Sequence, residues 1–140
     1  MRILIVDDEP HNRTLLQHML KALGECDLAV DGREAVEAFA MAFEDQRPYD
    51  LVLLDIMMPE MNGQDALKSI RAFEQEKGLS GNQEAVVFMV SALDTETQVV
   101  EAFFKGHCTD YVTKPINRDG LFAKLQEYGT RLGLDQNPLA

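Results

Sequence analysis

Residues 51–59, Leu51-Val52-Leu53-Leu54-Asp55-Ile56-Met57-Met58-Pro59, decide the fold. Four apolar residues run together and an acid follows at once. A short unbroken apolar run bounded by breakers suits a strand buried on both faces. Asp55 then stands at the carboxyl end of that strand, the edge where ligands bind in open α/β sheets. Pro59 and Asn62-Gly63 mark the loop beyond it. Taken alone, the stretch fits equally a carboxylate that caps a turn.

Working outward, the same grammar repeats. Ile3 to Val6 is a second buried strand, followed directly by Asp7-Asp8-Glu9. Pro10 suits the first turn of a helix, in which Leu15, Leu16, Met19, Leu20 and Leu23 recur at helical spacing until Gly24 stops it. Cys26 to Val30 reads as a short strand. Asp31-x-x-Glu34 reads as a capping box that opens a helix with Ala35, Val36, Phe39, Ala40 and Phe43 inward. Downstream of Gly63, Ala66, Leu67, Ile70 and Phe73 line another helix, and Glu74 to Glu84 reads as its end and a solvated loop. Ala85 to Val90 is a fourth buried strand, closed by Ser91. Asp94 to Lys105 is a helix, Asp110 to Thr113 a fifth strand followed by Lys114-Pro115. Asn117 caps a last helix with Leu121, Leu125, Tyr128 and Leu132 in one stripe. Strand and helix alternate five times, which predicts an α/β fold: a doubly wound parallel sheet with helices on both faces. The expected organisation is a single domain over residues 1–134, a short frayed tail over 135–140, and no output domain after it.

Composition narrows the chemistry. A chain of 140 residues can bury a sizeable core. Its 24 acids against 13 bases give a net charge of -11, which disfavours nucleic acid and suits a metal cation or a basic partner surface. Cys26 and Cys108 stand apart with no Cys/His cluster near either, so both read as buried free thiols. No apolar run approaches the length of a membrane span, and the four residues after Arg2 are too few for a signal peptide. The expectation is a cytoplasmic protein that does not insert into membranes.

In a parallel sheet all strand ends share one edge. That edge gathers Asp7 and Asp8, Asp55, Ser91 and Lys114. Two carboxylates at 4 Å repel by roughly 4 kcal/mol at an effective dielectric near 20, so a divalent cation or proton uptake must relieve the cluster. A hard cation such as Mg²⁺ prefers such oxygen ligands. Lys114 and the Ser91 hydroxyl suit a phosphoryl group, whose charge lies on its peripheral oxygens. Asp55 is then the natural nucleophile.

Four pieces, Val6-Asp7-Asp8-Glu9, Leu54-Asp55-Ile56-Met57-Met58-Pro59-Glu60-Met61-Asn62-Gly63, Val90-Ser91-Ala92 and Tyr111-Val112-Thr113-Lys114-Pro115, occur in order and at suitable spacing. With them the sequence resembles the receiver domain of bacterial response regulators, especially stand-alone receivers of the chemotaxis type, over residues 2 to about 132. The resemblance implies the flavodoxin-like strand order 2-1-3-4-5. It implies a phospho-accepting switch of a two-component or phosphorelay system rather than an enzyme, with Asp55 as phosphoacceptor. Asp8, Asp55 and the Met57 carbonyl become Mg²⁺ (or Mn²⁺) ligands, with Asp7 acting mainly through water. Lys114, Ser91 and the Ala92 amide become phosphoryl contacts. Tyr111 matches the switch aromatic that turns inward when the Ser91 hydroxyl moves to the phosphoryl group. The Lys114–Pro115 peptide is expected to be cis. The positions that hold a hydrolytic water in fast-hydrolysing receivers are here Met57 and Leu93, neither of which can orient one, so slow self-dephosphorylation is expected.

The implied donor is a sensor histidine kinase or a histidine phosphotransfer protein, docking at His11, Asn12 and Leu15. The output partner is unnamed; its usual face is the helix over 94–105, the fifth strand and the last helix. The implied assembly is a monomer or a weak phosphorylation-dependent dimer. Two positions depart from the family: His107 stands where Gly is common, and Asn62 where Asp is common. Other classes fit worse. An Asp-nucleophile phosphatase of the haloacid-dehalogenase type wants a second Asp where Met57 stands. A flavin carrier wants a hydroxyl- and glycine-rich loop where Asp7-Asp8-Glu9 stand. A degenerate receiver would lack part of the acidic cluster. A phosphorelay intermediate, passing its phosphate to another histidine protein, remains the alternative role.

Overall fold

The computed structural model describes residues 1–56, 58, 61–91 and 108–134. Its strands are β1 (Arg2–Val6), β2 (Glu25–Ala29), β3 (Leu51–Asp55), β4 (Val86–Ser91) and β5 (Asp110–Thr113). They form one sheet in the order β2-β1-β3-β4-β5, with every pairing parallel. The described helices are α1 (Pro10–Leu20), α2 (Gly32–Glu44), α3 (Gly63–Glu76), α4 (Arg118–Glu127) and the single turn α5 (Gly129–Leu132). The helix expected over 94–105 lies outside the described residues, as does the tail over 135–140.

Alternation along the strands fills both faces. Leu4, Val6, Val52, Leu54, Val87 and Met89 meet Ala35 and Phe39 of α2 and Leu67 and Ile70 of α3. Ile3, Ile5, Leu51, Leu53, Phe88 and Val90 meet Leu16 and Leu20 of α1 and Leu121 and Leu125 of α4. This is why β3 and β4 read as unbroken apolar runs: each is covered on both sides. Burying one such Leu or Ile contributes roughly 1.5–3 kcal/mol.

Caps decide where the helices start. Asp31 accepts from the Glu34 amide at 2.8 Å, Asn62 from the Asp65 amide at 2.9 Å, and Asn117 from the Gly120 amide at 2.7 Å. The box at Asp31 closes only by half, because the Glu34 carboxylate takes the Val30 amide instead. Other expectations need correction. α1 ends at Leu20, short of Gly24, and the next residue Glu25 bonds to the Met1 carbonyl to begin β2. Leu15 lies outside the α1 stripe and is exposed, and Cys26 is half-buried where Cys108 is buried. The last helix breaks at Tyr128, although its stripe continues through Leu132.

The largest correction concerns Glu74. It is not part of a solvated loop but 1% exposed within α3. Its carboxylate pairs with Arg71 at 2.7 Å and accepts the Ala85 amide at 2.7 Å, while Arg71 donates to the Ala85 carbonyl at 2.9 Å. A buried acid in a polar stretch is thus fully matched to the backbone that leads into β4.

Two glycines make close main-chain approaches near the end of β3. A Cβ at Gly63 would fall 2.2 Å from the Asp55 carbonyl oxygen, and one at Gly32 would fall 2.4 Å from that of Met61. The amides use the same closeness: Gly63 donates to the Ile56 carbonyl at 2.9 Å and Gly32 to the Met61 carbonyl at 3.1 Å.

Candidate phosphoacceptor site

Register brings the polar residues together. Val6 pairs with both Ala29 and Leu54, Asp55 with Val90, and Ser91 with Thr113. The residues that end or follow β1, β3, β4 and β5 therefore share one edge. Asp7, Asp8 and Asp55 each offer a carboxylate oxygen there, all within 4.8 Å of one another. Asp7 and Asp55 are buried, whereas Asp8 opens to solvent.

The loop after β1 is held firmly. The Asp7 carboxylate accepts the Glu9 amide at 2.9 Å, and Arg13 of α1 donates to the Asp7 carbonyl at 2.8 Å. Sequence reading missed Arg13; its place in the first turns of α1, six residues after Asp7, was the available signal.

From the opposite side Lys114 reaches in. Its Nζ stands 3.2 Å from Asp55 Oδ2 and 3.4 Å from Asp7 Oδ2. Its amide bonds to the Ser91 carbonyl at 2.6 Å, and the Lys114–Pro115 peptide is cis, as expected. Burial alone would lower the Lys114 pKa, but the charges of Asp55 and Asp7 and their hydrogen bonds outweigh it, so the ammonium is held above its ordinary value.

Ser91 is 2% exposed, and its Oγ has no hydrogen-bond partner among the described residues. An unmet buried hydroxyl costs about 1–3 kcal/mol. By strand alternation Ser91 and Tyr111 lie on one face, since Met89 pairs with Tyr111 and Ser91 with Thr113. Tyr111 is 40% exposed.

The donor set fits a hard divalent cation. Among the described residues it is all oxygen, Lys114 meets two of the three acids, and exposed Asp8 leaves room for water. Of the predicted site residues, Asp7, Asp8, Asp55 and Lys114 converge, with Ser91 on the same edge. Met57, Ala92, Leu93 and His107 lie outside the described residues.

Fold and site define a class, the phospho-accepting α/β receivers. The model of the response regulator receiver domain family matches residues 3–126, and the chain belongs to that family. Over all 140 residues it is 36% identical to the sensory/regulatory protein RpfC of Xanthomonas campestris pv. campestris, of which it spans 18%. Among solved structures it resembles the Saccharomyces cerevisiae complex of the histidine phosphotransfer protein Ypd1 with the receiver domain of Ssk1. The TM-score is 0.80 at 27% identity, covering 96% of this chain and 92% of that one. It also resembles the CheX–CheY–BeF3–Mg complex of Borrelia burgdorferi, with a TM-score of 0.76 at 29% identity, covering 91% and 87%.

Proposed function

We propose that residues 1–134 form a receiver in which Asp55 takes a phosphoryl group from a phosphohistidine and thereby changes which partner the domain binds. The observation that carries this reading is the convergence of Lys114 on buried Asp55 and Asp7. An Asp55 carboxylate oxygen attacks the phosphorus, a P–O bond forms, the P–N bond to the donor imidazole breaks, and the imidazole takes up a proton. Lys114 meets the charge on the peripheral oxygens of the group in flight. Asp7, Asp8 and Asp55, with the Met57 carbonyl, would hold Mg²⁺ or Mn²⁺, which supplies further positive charge to those oxygens. A phosphoryl oxygen gives the buried Ser91 hydroxyl a partner, and the Tyr111 ring takes the space it leaves.

A phosphotransfer protein or histidine kinase is the donor this chemistry asks for, and the Ypd1–Ssk1 likeness supports it. The reading places the chain in the cytoplasm; no described helix is long and apolar enough to cross a membrane. Intact-mass measurement after treatment with acetyl phosphate and Mg²⁺ tests the assignment. One phosphate should be added to the wild type, none to Asp55→Ala, and none after EDTA. Equal labelling of Asp55→Ala would refute it. The adduct should decay slowly, and faster in Met57→Asn/Leu93→Glu.

A further inference from the structure

Asp110 at the start of β5 is a hub. Its Oδ1 accepts the Lys124 ammonium at 2.9 Å and the Tyr111 amide at 2.8 Å, and its Oδ2 accepts the Tyr128 hydroxyl at 2.7 Å. The hub fixes Lys124 on α4 so that its Nζ stands 5.4 Å from the centre of the Tyr111 ring. β5 is an edge strand, so the ring can reach round the sheet edge to that charge. A cation over a ring face at this range is attractive. Tyr111 as a residue is 40% exposed, and the Lys124 ammonium is the charge found over its ring among the described residues. An apolar ring left half in water without a restraint would gain by turning inward.

We propose that Lys124, anchored by Asp110, is a positioning residue that holds the Tyr111 ring in its outward orientation and so sets how far the unphosphorylated domain occupies the inward state. The inference rests on the aromatic switch proposed above. Removing the charge should raise the inward fraction about two- to five-fold, the range expected for an exposed cation–ring contact. By reciprocity, any ligand that favours the inward state should bind tighter by the same factor while that state is the minor one.

The protein contains three tyrosines, so 3-fluorotyrosine labelling gives three ¹⁹F resonances, with Tyr111 assigned through Tyr111→Phe. The probes are the H₂O/D₂O isotope shift of the Tyr111 fluorine and the half-saturation by beryllofluoride with Mg²⁺. In Lys124→Met the Tyr111 fluorine should become less solvent-exposed without ligand, and half-saturation should fall about two- to five-fold. Lys124→Arg should restore wild-type behaviour, while the remote Tyr49 resonance stays fixed in both as a check on folding. An unchanged Tyr111 fluorine and half-saturation in Lys124→Met would overturn the proposal. A wild-type Tyr111 resonance that ignores beryllofluoride would sink the switch instead, and the isotope shift in Lys124→Met would still decide the role of Lys124.

Discussion

The two edges of the sheet treat charge in opposite ways. At the carboxyl edge, among the described residues, three carboxylates offer oxygens within 4.8 Å of one another, and Lys114 meets two of them, Asp7 and Asp55. At the amino edge the charges are matched. Glu74 meets Arg71 and the Ala85 amide. Arg2 meets Asp27 at 2.5 Å, Asp27 accepts the Tyr49 hydroxyl at 2.6 Å, and Arg47 meets Glu25 at 2.5 Å. Arg2 also lies over the Tyr49 ring at 4.6 Å. Both edges bury carboxylates, so burial alone does not mark function. The mark is imbalance: among the described residues the acids of this cluster outnumber the lysine that meets them, a donor set that suits a divalent cation.

The largest effect should come from unbalancing the balanced edge. Glu74→Ala removes the buried ion pair with Arg71 and leaves the Ala85 amide without this acceptor, at a cost of about 3–5 kcal/mol. Urea unfolding should show that loss, while the folded fraction still labels on Asp55. Restoring balance at the other edge works in the opposite direction. Mg²⁺ at a hundred times its dissociation constant should stabilise the wild type by about 2.7 kcal/mol, read as a rise in melting temperature that EDTA reverses. Asp55→Asn relieves part of the repulsion without metal and should stabilise by about 1–2 kcal/mol, with a smaller gain from Mg²⁺. A mutant less stable than the wild type in EDTA would deny that the carboxyl edge is strained.

The smallest effect is alkaline. Burial first, then the hydrogen bond and charge of Asp27, push the Tyr49 hydroxyl up from 10 to about 12. The folded state therefore holds its proton more tightly than the unfolded one. The contribution is complete below pH 10 and is lost as pH rises toward about 12. Denaturation midpoints across that window should fall less steeply in Tyr49→Phe than in the wild type.

The same contrast explains what the sequence disclosed. Parallel strands align their ends, so Asp7, Asp8, Asp55, Ser91 and Lys114 could be placed on one edge from apolar runs and the residue after each. The matched edge was opaque because its partners are set by tertiary packing. Glu74 lies among Gln75, Glu76 and Lys77, and although it falls four residues after Ile70 on the inward stripe, its residue type reads as a solvated acid. Its burial depends on an amide at Ala85 that only the chain's return into β4 brings near. Lys124 was hidden likewise, since its tie to Asp110 spans two elements.

The close approaches at Gly63 and Gly32 bear on how such a chain can diverge. The Ile56 and Met61 carbonyls each take a glycine amide. Backbone-to-backbone ties do not depend on which side chains the intervening positions carry. Mutational drift at 63 or 32 has no latitude, because any side chain there would collide with a carbonyl oxygen. Substitution at 63 or 32 therefore changes main-chain packing beside Asp55 or Met61, not only what the surface displays.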